Sequence, residues 1–374
     1  MAGIYIHIPF CKIKCHYCDF HFSTQHQNKN RVLDAMCREI VLRKNYLNSE
    51  NIQTIYFGGG TPSLLTFEDF NQIMTTINLH YNLADDFEFT VECNPDDITP
   101  TKLGEFKTLG VNRLSIGIQS FDGQQLKALN RAHTDSEAKM AVQLAQSAGF
   151  QNITIDLIYG LPDTDEAYWQ KQVDTAIKLN VPHISSYCLT FEPQTVFGNW
   201  LKKGQIKALA DEANLAQFRI LTQKLLAAGY DHYEISNFAK PGAISKHNSS
   251  YWLGEKYLGI GPSAHSFDGK TRQWNVANNV KYTKAVNEDI SFYEVEELSH
   301  KDHFNEHILT RLRTHWGVDI VDLKTSFPDQ FLKIQDIINK FLTEGLLIKK
   351  GSVILLSDEG KFIADHVTSE LFIV

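Results

Sequence analysis

Over the first two thirds of the chain, short apolar runs stop at glycine or polar residues and alternate with longer stretches whose apolar positions recur three and four residues apart. Gly3 to Ile8 is the first run, rich in Ile and weakly alternating; Ile52 to Phe57 is the second and ends at Gly58-Gly59-Gly60-Thr61-Pro62. Phe87 to Cys93, Arg113 to Ile118, Asn152 to Leu157 and His183 to Leu189 follow, and each reads as a strand. The intervening periodicity predicts a helix over 31–46, and Leu215, Phe218, Leu221 and Leu225 give a helix over 211–228 one apolar face. Helical stretches end at Leu109-Gly110, Ala148-Gly149 and Ala228-Gly229, where glycine suits the left-handed position just past a helix. Gly110 and Gly149 are 39 residues apart and Gly149 and Gly229 are 80 apart, so the repeating unit is about 40 residues with one more unit between the last two. The expectation is six parallel strands, with room for a seventh at His232 to Ile235. A right-handed β/α series of that length curls into a full or partial barrel.

From about residue 301 the pattern changes to three helices and a short hairpin, Leu346 to Leu356 around Lys350-Gly351. We therefore divide the chain into a barrel over 1–235, a connecting region over 236–300, and a small C-terminal winged-helix-like domain over 301–374. A DNA-reading wing is disfavoured, because residues 301–374 hold 9 Lys and Arg against 11 Asp and Glu, so a lid or partner surface is expected there. The whole chain, 374 residues with a net charge of -8, lacks the clustered basic residues of a nucleic-acid binder. Its 43% hydrophobic and 21% charged content is ordinary for a globular protein, and no apolar run approaches the roughly 18 residues of a membrane span. The expectation is a cytoplasmic protein, with peripheral membrane contact left open.

Three of the six cysteines, Cys11, Cys15 and Cys18, fall within eight residues directly after the first strand. Thiolates at that spacing can wrap one loop around a cubane iron–sulfur cluster, and three ligands for four irons leave one iron open to bind a small molecule. A structural zinc site is the plainer reading, with His16, His21 or Asp19 as fourth ligand, although the second ligand pair typical of zinc ribbons is missing downstream. Disulfides are disfavoured, since no apolar secretory segment precedes the cysteines.

The loop Cys11-Lys12-Ile13-Lys14-Cys15-His16-Tyr17-Cys18 resembles the CxxxCxxC signature of the radical S-adenosylmethionine superfamily. That resemblance implies an α/β fold built on a partial (β/α)6 barrel, and a [4Fe-4S] cluster on Cys11, Cys15 and Cys18. It further implies S-adenosylmethionine on the open iron, split by one electron into methionine and a 5'-deoxyadenosyl radical, with Tyr17 against the adenine. Active sites of parallel β/α barrels gather at the carboxyl ends of the strands, so Gly58 to Thr61, Glu92, Asn94, Gln119, Ser120, Asp156, Tyr187 and Cys188 are read together.

Five segments are similar to one branch of that superfamily: Tyr5-Ile6-His7-Ile8-Pro9-Phe10-Cys11, Gly58-Gly59-Gly60-Thr61-Pro62, Val91-Glu92-Cys93-Asn94-Pro95, Ser115-Ile116-Gly117-Ile118-Gln119-Ser120-Phe121 and Asp156-Leu157-Ile158-Tyr159-Gly160-Leu161-Pro162. They resemble the oxygen-independent coproporphyrinogen III oxidases and their relatives, the HemW-type haem chaperones. The resemblance implies that Tyr5 sits beside the cluster and that backbone groups of Gly59 and Gly60, with Thr61 next to them, meet the methionine end of the cofactor. It puts Glu92 among the polar contacts, Arg131 on the cofactor carboxylate, and Gln119 and Asp156 on ribose hydroxyls or the amino group.

Two features depart from the oxidases and one favours the chaperones. The oxidases carry a further cysteine where this chain has Phe20, and an amino-terminal arm where ten residues precede Cys11, which puts decarboxylation of a porphyrinogen in doubt. His247-Asn248-Ser249-Ser250-Tyr251-Trp252 matches the HNxxYW segment of the haem chaperones. A histidine in a loop can ligate haem iron and Tyr251 can flank the macrocycle, so His247 and Tyr251 are the expected haem residues. The resulting expectation is a carrier that takes up haem and delivers it to haem-accepting proteins, served by an electron-donor protein. The alternative is the oxidase that converts coproporphyrinogen III to protoporphyrinogen IX, and the sequence leaves enzymatic activity open.

Overall fold

The computed structural model describes residues 2–374. Six strands run parallel in sequence order: β1 (Ala2–Ile8), β2 (Ile52–Gly59), β3 (Leu83–Cys93), β4 (Arg113–Gln119), β5 (Asn152–Tyr159) and β6 (His183–Cys188). The helices between them are α1 (Lys29–Leu42), α2 (Phe67–His80), α3 (Pro100–Thr108), α4 (Gly123–Ala128), α5 (Asp135–Ser147) and α6 (Glu166–Lys178). Their C-terminal glycines are where the sequence places them, Gly110 and Gly149 having φ of +83° and +82°. Alternate residues of each strand face the helices and form one apolar core, for instance Ile4, Ile6 and Ile8 or Leu114, Ile116 and Ile118. The other set faces the barrel interior and is largely polar or aromatic: Tyr5 and His7, Thr54 and Tyr56, Glu88 and Glu92, Arg113 and Ser115, Thr154 and Asp156. A strand with two such faces needs a lined interior, and polar groups there must find partners.

After β6 come α7 (Val196–Lys202) and α8 (Asp211–Ala227), and then the expected seventh strand, β7 (Asp231–Glu234), departs from the parallel series. It lies at the sheet edge and does not pair with β6, because the antiparallel strand β8 (Asn237–Ala239) folds back between the two. The region 236–300 does more than connect. Its helix α9 (Lys246–Trp252) enters the barrel, and β9 (Lys256–Ile260) pairs in parallel with β1 on the side opposite β2. Strands β10 (His265–Phe267), β11 (Thr271–Asn275) and, beyond α10 (Asn279–Asn287), β12 (Tyr293–Glu297) extend that side as an antiparallel meander. The result is one open sheet of 12 strands, curved into a partial barrel.

Glu39 on α1 joins this added region to the barrel. Its fully buried carboxylate accepts from Gly261 N (2.8 Å), Asn275 Nδ2 (2.8 Å) and Tyr282 Oη (2.5 Å), and it pairs with Arg43 at 3.5 Å. Burial pushes its pKa up while Arg43 and the three donors pull it down.

The C-terminal unit has its own core around Phe304, Ile308, Leu323, Ile338 and Leu347. It comprises α11 (His300–Leu312), β13 (Val318–Asp319), α12 (Ile320–Ser326), α13 (Pro328–Thr343), the hairpin β14 (Leu347–Lys350) and β15 (Val353–Leu356), then α14 (Asp358–Phe362) and α15 (Ala364–Glu370). It docks on β7, where Ile235 N donates to Arg313 O (3.0 Å), His315 N to Tyr233 O (2.9 Å), and Arg313 pairs with Glu234 at 3.3 Å. No described residue of this unit lines either of the two cavities described below.

Candidate functional site

Cys11, Cys15 and Cys18 stand on the loop leaving β1, and hydrogen bonds clamp that loop from several sides. Cys11 N donates to Ser23 O (3.1 Å), Ser23 N to Pro9 O (2.9 Å), His16 N to Leu129 O (3.1 Å) and Asn130 Nδ2 to Lys14 O (2.8 Å). Lys12 pairs with both Asp96, at 2.6 Å, and Asp97. The glycine triplet packs beneath. Gly60 N donates to Ile8 O (2.8 Å) and Thr61 N to Phe10 O (2.7 Å), and a Cβ on Gly60 would lie 2.7 Å from both of those carbonyl oxygens. The glycines are thus required by backbone packing against the cysteine strand. The N–H groups of Gly59 and Gly60 are already spent, the former on Glu92 Oε2 (3.0 Å), which leaves only carbonyls for a ligand.

A cavity of about 510 Å³ opens between this loop and the carboxyl ends of the strands. Its wall contains the three cysteines, Tyr17, Gly59, Gly60, Thr61, Glu92, Asn94, Gln119, Arg131 and Asp156, with Tyr187 and Cys188 opposite. The structure therefore brings together every residue the sequence assigned to the cluster and its partner except Tyr5. Ser120 also turns away, bonding Tyr168 Oη at 2.8 Å. Ser115 and Gly117 line the wall and were not singled out, although they alternate with the apolar Leu114 and Ile116 and so share the face of Gln119. Gln119 itself holds φ +68°, a backbone conformation that costs free energy outside glycine and tends to gather at functional sites.

The cavity is electrostatically divided. Arg131 lies along one wall: Nη2 donates to Asn94 Oδ1 (2.7 Å) and Gly117 O (2.8 Å), and Nη1 approaches Cys15 Sγ and Tyr17 Oη, each at 3.4 Å. Its Nε is buried without a partner. It is therefore no surface residue. Glu92 accepts from Tyr56 Oη (2.7 Å), and burial raises its pKa. Asp156 is pushed up to about 7 by burial and by Glu92, with Arg131 pulling the other way. Burial also pushes Cys11 up to about 11 and Cys18 up to about 12, so both stay thiols at neutral pH until a metal displaces the protons. Among the described residues no three His, Cys, Asp or Glu side chains are arranged around a single metal ion. Three thiols on the rim of a wide cavity, two carboxylates and a guanidinium fit a cluster together with a ligand that carries both charges. The donor set is thus compatible with an iron–sulfur cluster and S-adenosylmethionine.

Tyr5 faces a second cavity, of about 400 Å³, which also contains His7, Asp19, Phe20, His21, Tyr251, Tyr257 and His265. Asp19 and Phe20 line both cavities and form the partition between them. Here one expectation needs correcting. His247 lies in helix α9, not in a loop, and is 1% exposed. Its Nδ1 bonds Thr54 Oγ1 (2.7 Å), its Nε2 bonds Tyr251 Oη (2.9 Å), and its ring stacks on Tyr56 at 4.9 Å. Glu88 accepts from the backbone N–H of both Lys246 and His247 at 3.0 Å, holding the start of α9 inside the barrel. Burial lowers the His247 pKa to about 3, so the imidazole is neutral, yet neither nitrogen is free for an iron. Tyr251, in contrast, does line a cavity.

Comparison with known proteins agrees with this geometry. Residues 5–172 match the Radical SAM superfamily and residues 298–363 match the HemN C-terminal domain. The chain is 34% identical to the haem chaperone HemW of Bacillus subtilis over 98% of each protein. It is 39% identical to the haem chaperone HemW of Escherichia coli over 70% of this chain and 69% of that one. The solved structure of the Escherichia coli coproporphyrinogen III oxidase HemN, a radical SAM enzyme, superposes with a TM-score of 0.86 at 22% identity, covering 99% of this chain and 90% of that one, which establishes a shared fold.

Proposed function

This chain belongs to the radical S-adenosylmethionine superfamily and, within it, to the HemW-type haem chaperones, and from that premise we propose that it binds haem and hands it to acceptor proteins. The observation that carries the reading is the likeness to a curated haem chaperone over 98% of both chains. The large cavity supports a resident [4Fe-4S] cluster and S-adenosylmethionine beside the cargo. Cys11, Cys15 and Cys18 would hold the cluster, and Tyr17, Gly59, Gly60, Thr61, Glu92, Gln119, Arg131 and Asp156 the cofactor. When bound, this pair supplies one-electron chemistry and calls for an electron-donor protein. The protein's own part is to hold the Arg131 guanidinium in the cavity wall, to set two carboxylates against positive charge, and to keep the thiols together. No described helix is long and apolar enough to cross a membrane.

The experiment uses anaerobically reconstituted protein. It should hold about four irons per chain, fall to background when Cys11, Cys15 or Cys18 is replaced by Ala, take up one haem, and transfer that haem to an apo-haemoprotein. Turnover of coproporphyrinogen with reductant and S-adenosylmethionine, without stoichiometric haem uptake, would replace the carrier by the oxidase and leave fold and cofactor assignments standing.

A further inference from the structure

We propose that the haem seats in the second cavity, against Phe20, Tyr251 and Tyr257, with His265 as the side chain that ligates its iron. This rests on the haem-carrier reading and goes beyond it in naming the seat and the ligand. The cavity, about 400 Å³ and open to solvent on one side, lies within the roughly 300–1,000 Å³ range of small-molecule sites. Its walls are rich in flat side chains: Tyr251 and Tyr257 meet edge to face at 4.6 Å, and Phe20 is 67% exposed at the partition with the cysteine-lined cavity. A planar apolar macrocycle is the class of ligand such walls suit.

Three histidines line this cavity, and hydrogen bonding separates them. His7 is 5% exposed and both of its nitrogens are engaged, Nδ1 with Tyr5 Oη (3.2 Å) and Nε2 with His21 O (2.9 Å). His21 Nε2 donates to Asn279 Oδ1 (2.8 Å) and its ring stacks on His7, 6.3 Å between centroids, so of its two nitrogens Nδ1 alone is without a partner among the described residues. His265 is exposed and its side chain makes no hydrogen bond among the described residues; its ring is tilted against that of Trp274, 6.3 Å between centroids. An uncommitted imidazole facing a cavity is the arrangement a metal ligand needs. Partial burial and the nearby Arg272 lower its pKa and so keep the ring neutral, the form that binds iron.

The backbone beneath His265 is also fixed. A Cβ on Gly259 would lie 2.0 Å from His265 O, so the two strands touch backbone to backbone, and Ser263 two residues earlier holds φ +64°. Glu39 grips Gly261 and Asn275 on either side of the segment. A ligand on such a support keeps its orientation. His247 acts behind the wall, through its bond to Tyr251 Oη, as a positioning residue.

The test is haem titration of the full reconstituted chain, followed by absorption and electron paramagnetic resonance, on His265→Ala, His265→Tyr and His247→Gln. His265→Ala should weaken haem binding at least tenfold and lose the wild-type Soret band, and free imidazole should restore that band. His265→Tyr should bind haem with the spectrum of a phenolate-ligated ferric iron, which a merely structural role of this residue would not produce. His247→Gln should keep the wild-type iron spectrum. Wild-type band and affinity in His265→Ala, or loss of the axial-ligand signature only in His247→Gln, would overturn the assignment while haem carriage stood. A wild-type chain that takes up no haem would overturn both readings.

Discussion

Asp156 should make the proposed binding of S-adenosylmethionine depend on pH near neutrality, with a predictable sign. The carboxyl group is held up to about 7 by burial and by Glu92, and Arg131 only partly offsets them. A positively charged ligand, or one that donates hydrogen bonds, favours the ionised form, so binding must expel the proton. With a pKa near 7, roughly one carboxyl in eleven is ionised at pH 6 and ten in eleven at pH 8, so Kd should tighten about tenfold across that range, or about 1.4 kcal/mol. The empty protein responds in the opposite direction. A folded pKa above the unfolded value of about 3.9 contributes stability that is complete below pH 4 and lost as pH rises through about 7. Calorimetric titration of reconstituted protein in two buffers of different ionisation enthalpy measures both Kd and the protons released. Asp156→Asn should flatten the pH dependence and leave binding no tighter than wild type at pH 6. Equal Kd at pH 6 and 8 with no proton released would refute the reasoning, and a slope retained in Asp156→Asn would move the titration to Glu92, whose carboxyl is also raised.

Gly60→Ala forces a Cβ to 2.7 Å from Ile8 O and Phe10 O, and two backbone hydrogen bonds lie at that junction. It should cost about 2–4 kcal/mol in urea unfolding and lower the iron retained after gel filtration. Glu39→Ala leaves Arg43 and three donors without their acceptor, so a loss of about 3–5 kcal/mol is expected, and a change within about 0.5 kcal/mol would show that the added sheet does not depend on this carboxylate. Arg131→Ala should weaken S-adenosylmethionine by about 1–3 kcal/mol, measured by equilibrium dialysis, with unaltered affinity assigning the guanidinium to the loop alone.

Local pattern carried much of this protein. The apolar runs marked six strands, and the glycines after helices marked turns that do hold positive φ. Polar residues at strand ends can be gathered from sequence because a parallel β/α series has only one face for its loops, and nine of those residues with the cysteines share one cavity wall. Period two also explains the polar interior, since one face of each strand packs on helices and the other cannot.

What tertiary structure alone decided lies between 236 and 300. Lys256–Ile260 is a five-residue segment whose parallel partner, β1, is some 250 residues earlier, and no local periodicity encodes such a pairing. The motif at His247 named a residue but not its surroundings: Thr54, Tyr56 and Glu88 come from two other strands, and only their convergence turns an assumed loop histidine into the floor of the barrel. His265 stood in the sequence as one of 15 histidines. Its distinction is a missing hydrogen bond, and the lack of a partner is settled by every neighbour in space at once, whereas a strand or a helix is settled largely by the residues beside it.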